Sequence, residues 1–276
     1  MPELPEVETV KKTLEKSLVG LTITGVDITM DKIIREPAPE VFAHSVTGKK
    51  ITRLGRRGKY LLVHLAGGSV LVFHLRMTGR LVYASPEDPP PRHTHVVFRL
   101  GNGHELRFAD MRQFGRIILA PARELDRVKG LKDLGPEPLG RDFNRDFLRR
   151  EIKRKRVRLK SLLLDQTFIA GLGNIYADET LHRCRLHPER IAGTLSTREI
   201  ASLYRSITDV LKEGIANRGT SMRDYVDGDG REGNYQTLLR VYNREGQCCP
   251  HCGTAIARIK VGGRSSYFCP MCQKNP

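Results

Sequence analysis

The segment PELPEVE at positions 2–8 places a proline directly after the initiator methionine and follows it with closely spaced glutamates. Removal of Met1, which is usual when a small residue follows, would expose Pro2 as a free secondary amine. An α-amine has a pKa of about 8 and a lysine one of about 10.4, so the terminus is neutral roughly a few hundred times more often at pH 7. Condensed with an aldehyde-like carbon, a secondary amine forms an electron-withdrawing iminium ion. Glu3 and Glu6 lie beside it as an acid or base and its orienting partner.

The same residues also fit the ordinary start of a helix. Pro5 suits the first helical position, and the glutamates match the positive end of the helix dipole. An apolar face then follows at helical spacing, formed by Val7, Val10, Leu14 and Leu18. The pattern by itself leaves both interpretations open.

Four of the six cysteines form two Cys-Pro-x-Cys knuckles, Cys249/Cys252 and Cys269/Cys272, around a strand–turn–strand pattern. This spacing predicts one structural Zn²⁺ bound by four thiolates in a ribbon too small to fold unaided. A closed site of this kind is structural, so we do not expect the metal to be the catalyst. Disulfides are the alternative, and a reducing compartment disfavours them.

Two residues near the knuckles need a separate interpretation. Cys248 could compete for the metal, but only Cys249 gives the two-residue gap to Cys252. Arg264 follows the Gly262-Gly263 turn, and spacing alone makes it a surface arginine at the tip of the hairpin.

The chain of 276 residues carries 47 Lys plus Arg against 31 Asp plus Glu, a formal charge of +16, which favours nucleic acid as a partner. Eight of the twelve residues from 149 to 160 are basic. This run leads to a turn at GLGN, where Asn174 could cap a helix whose free N–H groups, with Lys160 nearby, suit a DNA phosphate. A solvated charged face is the alternative for the run. Without an apolar span of ~20 residues or a secretory signal, we expect no membrane partner and a cytoplasmic location.

The elements that must position these groups divide into three predicted domains. Residues 1–135 are rich in strands, with hairpins at 60–75 and 95–108. Residues 136–240 are mostly helical, with a capping box at Ser196 and Glu199 and a long mobile loop at 217–237. Residues 241–276 form the zinc finger.

Eight features occur in one order from Pro2 to Cys272: PELPEVE, RRGKY, HLRMTGR, DMRQFG, LGPEPL, DQTFIAGLGNIYADE, VYNREG and the four-cysteine finger. As a set they closely resemble the formamidopyrimidine-DNA glycosylases, bacterial repair enzymes also called 8-oxoguanine DNA glycosylase/AP lyase. The resemblance implies an α+β multidomain fold: an N-terminal β-sandwich with flanking helices, a helix–two-turn–helix domain and a zinc-ribbon hairpin. It also implies excision of oxidised purines from duplex DNA through a Schiff base, followed by β- and δ-elimination.

The resemblance further implies a role for each matching catalytic residue. Pro2 corresponds to the nucleophile that attacks C1′ of the damaged nucleotide, and Glu3 to the proton donor that opens the sugar, with Glu6 in support. Lys59 matches the lysine that assists β-elimination. Arg264 matches the arginine linked to δ-elimination, which replaces its interpretation as a plain surface residue.

Contacts to damaged duplex DNA are implied in two groups. The DNA-binding positions are His74, Met77, His93, Arg112, Phe114, Lys155, Lys160 and Asn174. The segment that closes over the flipped base contains Thr220, Ser221, Met222, Arg223 and Tyr225. Met77 and Phe114 are apolar tips suited to wedging between bases, although strand-end packing would explain each one singly. The fixed donors of Arg112 could pair with the orphaned cytosine.

Two other functions are compatible with parts of the sequence. Endonuclease VIII shares the fold and the N-terminal amine and prefers oxidised pyrimidines, but its opening usually departs from PELPEVE. A non-catalytic zinc-ribbon DNA-binding protein would need only the charge and the finger, and not Pro2-Glu3 with Lys59. We expect a monomer that acts at the nucleoid.

Overall fold

The computed structural model describes residues 1–275, which form two compact units. Met1–Lys132 and Ile215–Gln236 make the first unit, and Asp133–Gly214 with the chain from Thr237 onward makes the second. The segment Ile215–Gln236, placed by the sequence analysis in the helical domain, therefore packs with the strand-rich unit. The finger shares one unit with the helices. Within residues 1–275, no helix combines the length and apolar character needed to cross a bilayer.

The first unit contains two sheets, with strand orders β1-β7-β8-β6 and β2-β9-β5-β4-β3. All pairings are antiparallel except β2 with β9. The strands are β1 (Ile23–Ile28), β2 (Ile34–Glu36), β3 (Ile51–Arg57), β4 (Tyr60–Leu65), β5 (Ser69–His74), β6 (Gly79–Ala84), β7 (Thr94–Leu100), β8 (Glu105–Asp110) and β9 (Arg116–Pro121). The hairpins predicted at 60–75 and 95–108 are β4–β5 and β7–β8.

One hydrophobic core lies between these sheets. Phe73 of β5 and Phe98 of β7 belong to different sheets, and their ring centroids are 6.0 Å apart in an edge-to-face arrangement. Both rings are fully buried, as is Phe108 of β8. The predicted β-sandwich is confirmed, because the apolar faces of both sheets remove their side chains from water against each other.

Helix α1 (Leu4–Leu18) packs its apolar face into this core, and α2 (Pro39–Val46) lies beside the same unit. The predicted face is confirmed: Val7, Val10, Leu14 and Leu18 are each 0% exposed. The helix begins one residue earlier than predicted, so Pro5 is its second residue and not its first. The reason is local, because the Glu6 carboxylate accepts the N–H of Glu3 at 2.7 Å and makes Glu3 the N-cap.

The second unit consists of four helices and a hairpin. The helices are α3 (Arg145–Lys153), α4 (Leu159–Leu164), α5 (Asn174–Arg183) and α6 (Thr197–Ala216), and the hairpin strands are β10 (Ala257–Val261) and β11 (Arg264–Phe268). The capping box predicted for α6 is present, because Glu199 accepts the N–H of Ser196 at 2.7 Å and donates its own N–H to the Ser196 hydroxyl. Helix α5 is buried on most of its surface, which places it at the centre of the unit.

Candidate active site and metal centre

The start of α1 is a buried, preorganised carboxylate site. Pro2 is buried, Glu3 is 3% exposed and Glu6 is 1% exposed, whereas Met1 projects into solvent. The two Glu6 oxygens are both engaged: one accepts the N–H of Glu3 and the other accepts the N–H of Thr220, each at 2.7 Å. Glu6 is therefore fixed in place, and Glu3 is the carboxylate next to Pro2 in the chain. While Met1 is attached, the Pro2 nitrogen is an amide, which is not a nucleophile.

The segment around residue 220 is anchored to the same glutamate. Gly219 has φ +79°, and a Cβ at this position would lie 2.8 Å from a Glu6 oxygen, so both backbone and space require glycine. The Tyr225 hydroxyl donates to the Glu6 carbonyl at 3.2 Å. Burial, with the nearby Glu6 charge, raises the pKa of Tyr225, so the phenol stays a neutral donor.

The remainder of the 217–236 segment is irregular, as predicted. Hydrogen bonds fix several of its residues, and these residues do not show the predicted mobility. Asp227 is 0% exposed and accepts the N–H groups of Asp229 and Arg231. Gly228 donates its N–H to the Thr13 hydroxyl of α1 at 2.9 Å. Met222 and Arg223 are exposed, as are residues 229–232 further along the segment.

Lys59 lies in the tight turn between β3 and β4, and it is 6% exposed. The positive charge of Lys59 acts on the pKa of His74, which lies at the end of β5. Burial, together with the positive charges of Arg76 and Lys59, lowers the pKa of His74 to about 3. The His74 Nδ1 accepts the N–H of Arg76 at 3.0 Å, which leaves the proton on Nε2. The predicted DNA contact at His74 stays a prediction, and it would have to be made by a neutral N–H donor.

Three exposed side chains form a joined cluster at the β5–β6 and β8–β9 loops. The Arg112 Nη1 donates to the Met77 sulfur at 3.0 Å, and the guanidinium lies 5.0 Å from the centre of the Phe114 ring. Met77 is 41% exposed and Phe114 is 46% exposed. Strand-end packing would have covered these apolar side chains, so the structure favours the predicted wedge.

The two loops are tied together by residues that the sequence analysis missed. Asp110, which is 1% exposed, accepts the Thr78 hydroxyl and, at 2.6 Å, the Gly115 N–H. The Arg112 N–H donates to the Thr78 oxygen at 3.0 Å. Asp110 is the first residue of the DMRQFG motif. Its position at the end of a strand, before an exposed loop, was the sequence signal that could have identified it. Its buried hydrogen bonds fix the wedge residues relative to each other.

His93 is exposed on the same unit and lies beside a cavity of about 270 Å³. The cavity is also lined by Arg80, Arg92, Met111 and Asp224. Arg80 and Asp224 form an ion pair at 3.4 Å, which joins β6 to the 217–236 segment.

In the second unit, one residue of α4 and one residue of α5 differ from their predicted roles. Lys160 is 0% exposed and its ammonium group contacts the Asp178 carboxylate at 2.6 Å, so the prediction that it binds a DNA phosphate is wrong. Asn174 is the first residue of α5 and not its cap, which is Gly173. The Asn174 side-chain amide N–H donates to the Ser265 carbonyl at 3.0 Å. Lys155 is partly exposed, and its contact to DNA stays a prediction.

The four predicted zinc ligands come together. The sulfurs of Cys249, Cys252, Cys269 and Cys272 all lie within 4.8 Å of one another. Four thiolates on one tetrahedral Zn²⁺ would be separated by about 3.8 Å, so the cluster fits this ion closely. No disulfide joins them, and Cys248 is exposed and outside the cluster, as predicted. Within residues 1–275, this is the one group of three or more His, Cys, Asp and Glu side chains placed to bind a metal.

Residues around the knuckles support the ligands. The Thr254 hydroxyl and N–H lower the pKa of Cys252 to about 6, which favours the thiolate that a metal requires. The His182 ring nitrogen Nε2 lies 3.4 Å from the Cys249 sulfur. Gln273, which is 1% exposed, accepts the N–H of Cys269 and donates to the Leu186 carbonyl. The sequence analysis did not identify His182 or Gln273, since neither belongs to the knuckle pattern.

Comparisons with known proteins agree with this geometry over the whole chain. Family models match in three parts: the formamidopyrimidine-DNA glycosylase N-terminal domain at 1–117, the H2TH domain of the same enzyme at 134–226, and a zinc finger found in FPG and IleRS at 246–275. The formamidopyrimidine-DNA glycosylase of Pelotomaculum thermopropionicum is 62% identical over 274 residues, which cover 99% of each chain.

The chain belongs to the formamidopyrimidine-DNA glycosylase family. A second relative of the same name, from Desulforamulus reducens, is 56% identical over 99% of each chain. The family enzyme of Lactococcus lactis in complex with abasic-site DNA superposes with a TM-score of 0.93 at 37% identity, over 99% of this chain and 100% of that one. The same enzyme bound to N7-benzyl-Fapy-dG DNA gives the same values.

Membership of the formamidopyrimidine-DNA glycosylase family confirms the resemblance, the fold and the structural zinc. The family is a DNA glycosylase with AP lyase activity. In the first unit, the structure places a buried carboxylate pair at the start of α1, a 217–236 segment hydrogen-bonded to Glu6, and an exposed cluster of Met77, Arg112 and Phe114.

Proposed function

We propose that the chain excises oxidised purines from duplex DNA with Pro2 as nucleophile and then cleaves the strand at the abasic site. The observation that carries the residue assignment is the buried start of α1, where Pro2 and Glu3 lie beside a Glu6 carboxylate fixed by two backbone N–H groups. A protein that only binds DNA has no need to bury a terminal carboxylate pair in this way.

Base removal follows from the chemistry of a free Pro2 amine. The nitrogen forms a bond to C1′ while the C1′–N9 bond breaks, and the electron pair leaves with the oxidised purine, which takes up the proton that the Pro2 nitrogen loses. The C1′–O4′ bond then opens, and O4′ takes the proton of the Glu3 carboxyl group. The product is an iminium between Pro2 and an open-chain sugar. Glu6 orients the site, because both of its oxygens already accept backbone N–H groups.

Strand cleavage uses the iminium as an electron sink. Loss of a C2′ proton moves electrons toward the iminium and expels the 3′ phosphate, and we assign Lys59 to assist this β-elimination. Loss of the C4′ proton from the unsaturated product expels the 5′ phosphate, and we assign Arg264 to this δ-elimination. Hydrolysis of the iminium then frees Pro2 and leaves a one-nucleotide gap.

The damaged base has to leave the duplex before this chemistry can begin. We assign Met77 and Phe114 as the wedge that fills the vacated space and Arg112 as the partner of the orphaned cytosine, since its guanidinium already lies between them. The part of the 217–236 segment that contains Ser221, Met222 and Arg223 covers the extruded base. Thr220 and Tyr225 hold this segment on Glu6.

The remaining assignments concern the second unit and the setting. Lys155 and the start of α5 contact the DNA backbone, and the zinc stabilises the hairpin that carries Arg264. We propose functional domains at 1–135, 136–240 and 241–276, and a monomer that acts on chromosomal DNA.

Borohydride trapping tests the Schiff base directly. A duplex with 8-oxoguanine opposite cytosine should yield a covalent adduct at the peptide that begins with Pro2, because borohydride reduces the iminium to a stable amine. The undamaged duplex is the control for lesion dependence, and protein that retains Met1 is the control for the amine. An adduct mapped to another residue, or equal trapping by the Met1-retaining protein, would refute the assignment.

Salt dependence tests the DNA-binding surface. The logarithm of the association constant should fall linearly with the logarithm of salt concentration, by about 0.9 for each phosphate neutralised. Lys155→Ala should reduce the slope by about one phosphate on damaged and undamaged duplexes alike. A slope unchanged by this substitution would remove Lys155 from the interface, and a flat dependence in the unaltered protein would contradict a basic DNA-binding surface.

A further inference from the structure

The buried ion pair between Lys160 and Asp178 has no part in the chemistry described above. Lys160 is 0% exposed and Asp178 is 1% exposed, and their charged atoms are 2.6 Å apart. Lys160 comes from the basic run that the sequence analysis assigned to DNA, but water and phosphate cannot reach its ammonium group. Burying two charges carries a desolvation cost that geometry and further hydrogen bonds must offset. Each member of this pair also forms a hydrogen bond to the backbone of one strand.

That strand is β11, which begins at Arg264. The Lys160 ammonium donates to the Ser265 carbonyl at 2.9 Å. The second oxygen of Asp178 accepts the N–H of Tyr267 at 3.0 Å. The Asn174 amide donates to the same Ser265 carbonyl at 3.0 Å. Side chains from α4 and α5 therefore satisfy backbone groups of β11 on either side of Ser266.

These hydrogen bonds lie on the edge of β11 that faces away from β10. The tip of the hairpin is exposed. The hairpin has two strands only, β10 and β11, and Val261 pairs with Arg264 across the Gly262-Gly263 turn. Both glycines have positive φ, 56° and 77°, as a type I′ turn requires. An isolated two-stranded hairpin is marginally stable, and its outer edge has unpaired N–H and C=O groups. Zinc fixes the base of the hairpin, and the ion pair fixes the strand next to its tip.

We propose that the Lys160–Asp178 pair is a positioning device for Arg264, which sets the hairpin tip against α4 and α5 and so determines how far strand cleavage proceeds from β- to δ-elimination. This inference rests on the role proposed for Arg264. Neither Lys160 nor Asp178 touches the substrate, and both act through the Ser265 carbonyl and the Tyr267 N–H. Base release, which depends on Pro2 and Glu3, does not need Arg264 in place.

The test is the ratio of δ- to β-elimination products in single turnovers on an abasic-site duplex. Protein that has not folded makes neither product, so this ratio reports on positioning and not on the amount of folded protein. Asp178→Asn leaves the Lys160 charge buried without its counter-ion. The double variant Lys160→Met/Asp178→Leu removes both charges and fills their space with apolar side chains, a replacement that buried ion pairs often tolerate. Glu213→Gln is the matched control, because it removes a different ion pair of α5, the one between Glu213 and Arg183 at 2.6 Å.

We expect the product ratio to fall by about 10- to 100-fold in both pair variants, as misplacement by an ångström can cause, while the rate of 8-oxoguanine release is retained. Glu213→Gln should keep the ratio of the unaltered protein. An unchanged ratio in the double variant, measured on zinc-loaded protein, would overturn the proposal and leave the pair a structural element only. Arg264→Ala distinguishes failure of the positioning role from failure of the role of Arg264 itself. If this variant also leaves the ratio unchanged, the role proposed for Arg264 is wrong, and the inference about the ion pair is wrong with it.

Discussion

Glu3→Gln is expected to lower the rate of 8-oxoguanine release by about 10²- to 10⁴-fold, the usual contribution of a positioned acid or base. The substitution keeps the size of the side chain but removes the proton that the opening sugar oxygen needs. Glu3 is 3% exposed, so water has little access to replace it. Single-turnover release of the free base from a duplex with 8-oxoguanine opposite cytosine measures the effect without interference from product dissociation.

Glu8→Gln is the matched control for this prediction. Glu8 lies on the same helix, is partly exposed, and pairs with Arg56 at 2.8 Å away from the Glu6–Thr220 contact. It should leave base release at the rate of the unaltered protein. Arg264→Ala should also retain base release, because δ-elimination comes after it. If Glu3→Gln and Arg264→Ala lowered base release equally, the division of roles between them would be wrong.

Cys249→Ser is expected to abolish stoichiometric zinc binding and to unfold the hairpin that carries Arg264. Structural zinc in such small ribbons contributes about 10–16 kcal/mol of binding free energy, which is also folding free energy. The hairpin core around Val241, Ile256 and Tyr267 is too small to replace that contribution. Native mass spectrometry should show that the zinc content falls from one ion per chain to none. The affinity for DNA is measured in parallel.

The neighbouring cysteine provides the control for the zinc site. Cys248 is exposed and outside the ligand cluster, so Cys248→Ser should retain one zinc and the affinity for DNA. The same loss of zinc in both variants would show that the metal uses Cys248, contrary to the geometry. Removal of zinc by a chelator should reproduce the Cys249→Ser result in the unaltered protein.

Much of the fold follows from local patterns in the sequence. The β4–β5 and β7–β8 hairpins were predictable because glycine turns separate apolar runs of strand length. The face of α1 was predictable because four apolar residues recur at helical spacing. The zinc cluster was predictable because two knuckles with a fixed gap have few other uses. These features depend on residues close together in the chain.

Features that depend on distant partners were not predictable in the same way. The charge run at 149–160 gives no sign that Lys160 turns inward, because its partner Asp178 lies on another helix. Asn174 was predicted as a cap, but it is the first helical residue, and its amide N–H donates to the distant Ser265 carbonyl. Asp110 organises the wedge through Thr78 on a different strand. The identity of the catalytic residues came from the family resemblance, since Pro2 and Glu3 alone also fit a helix start.

The hydrogen bond from Thr220 to Glu6 joins groups separated by 214 positions in the chain. During synthesis, the ribosome must therefore complete about four-fifths of the polypeptide before this clasp can close over the N-terminal residues. Until then this contact cannot cover the Met1–Pro2 bond, and in the folded chain the Pro2 ring is buried. The order of chain growth thus allows the terminal amine to be unmasked before folding encloses it.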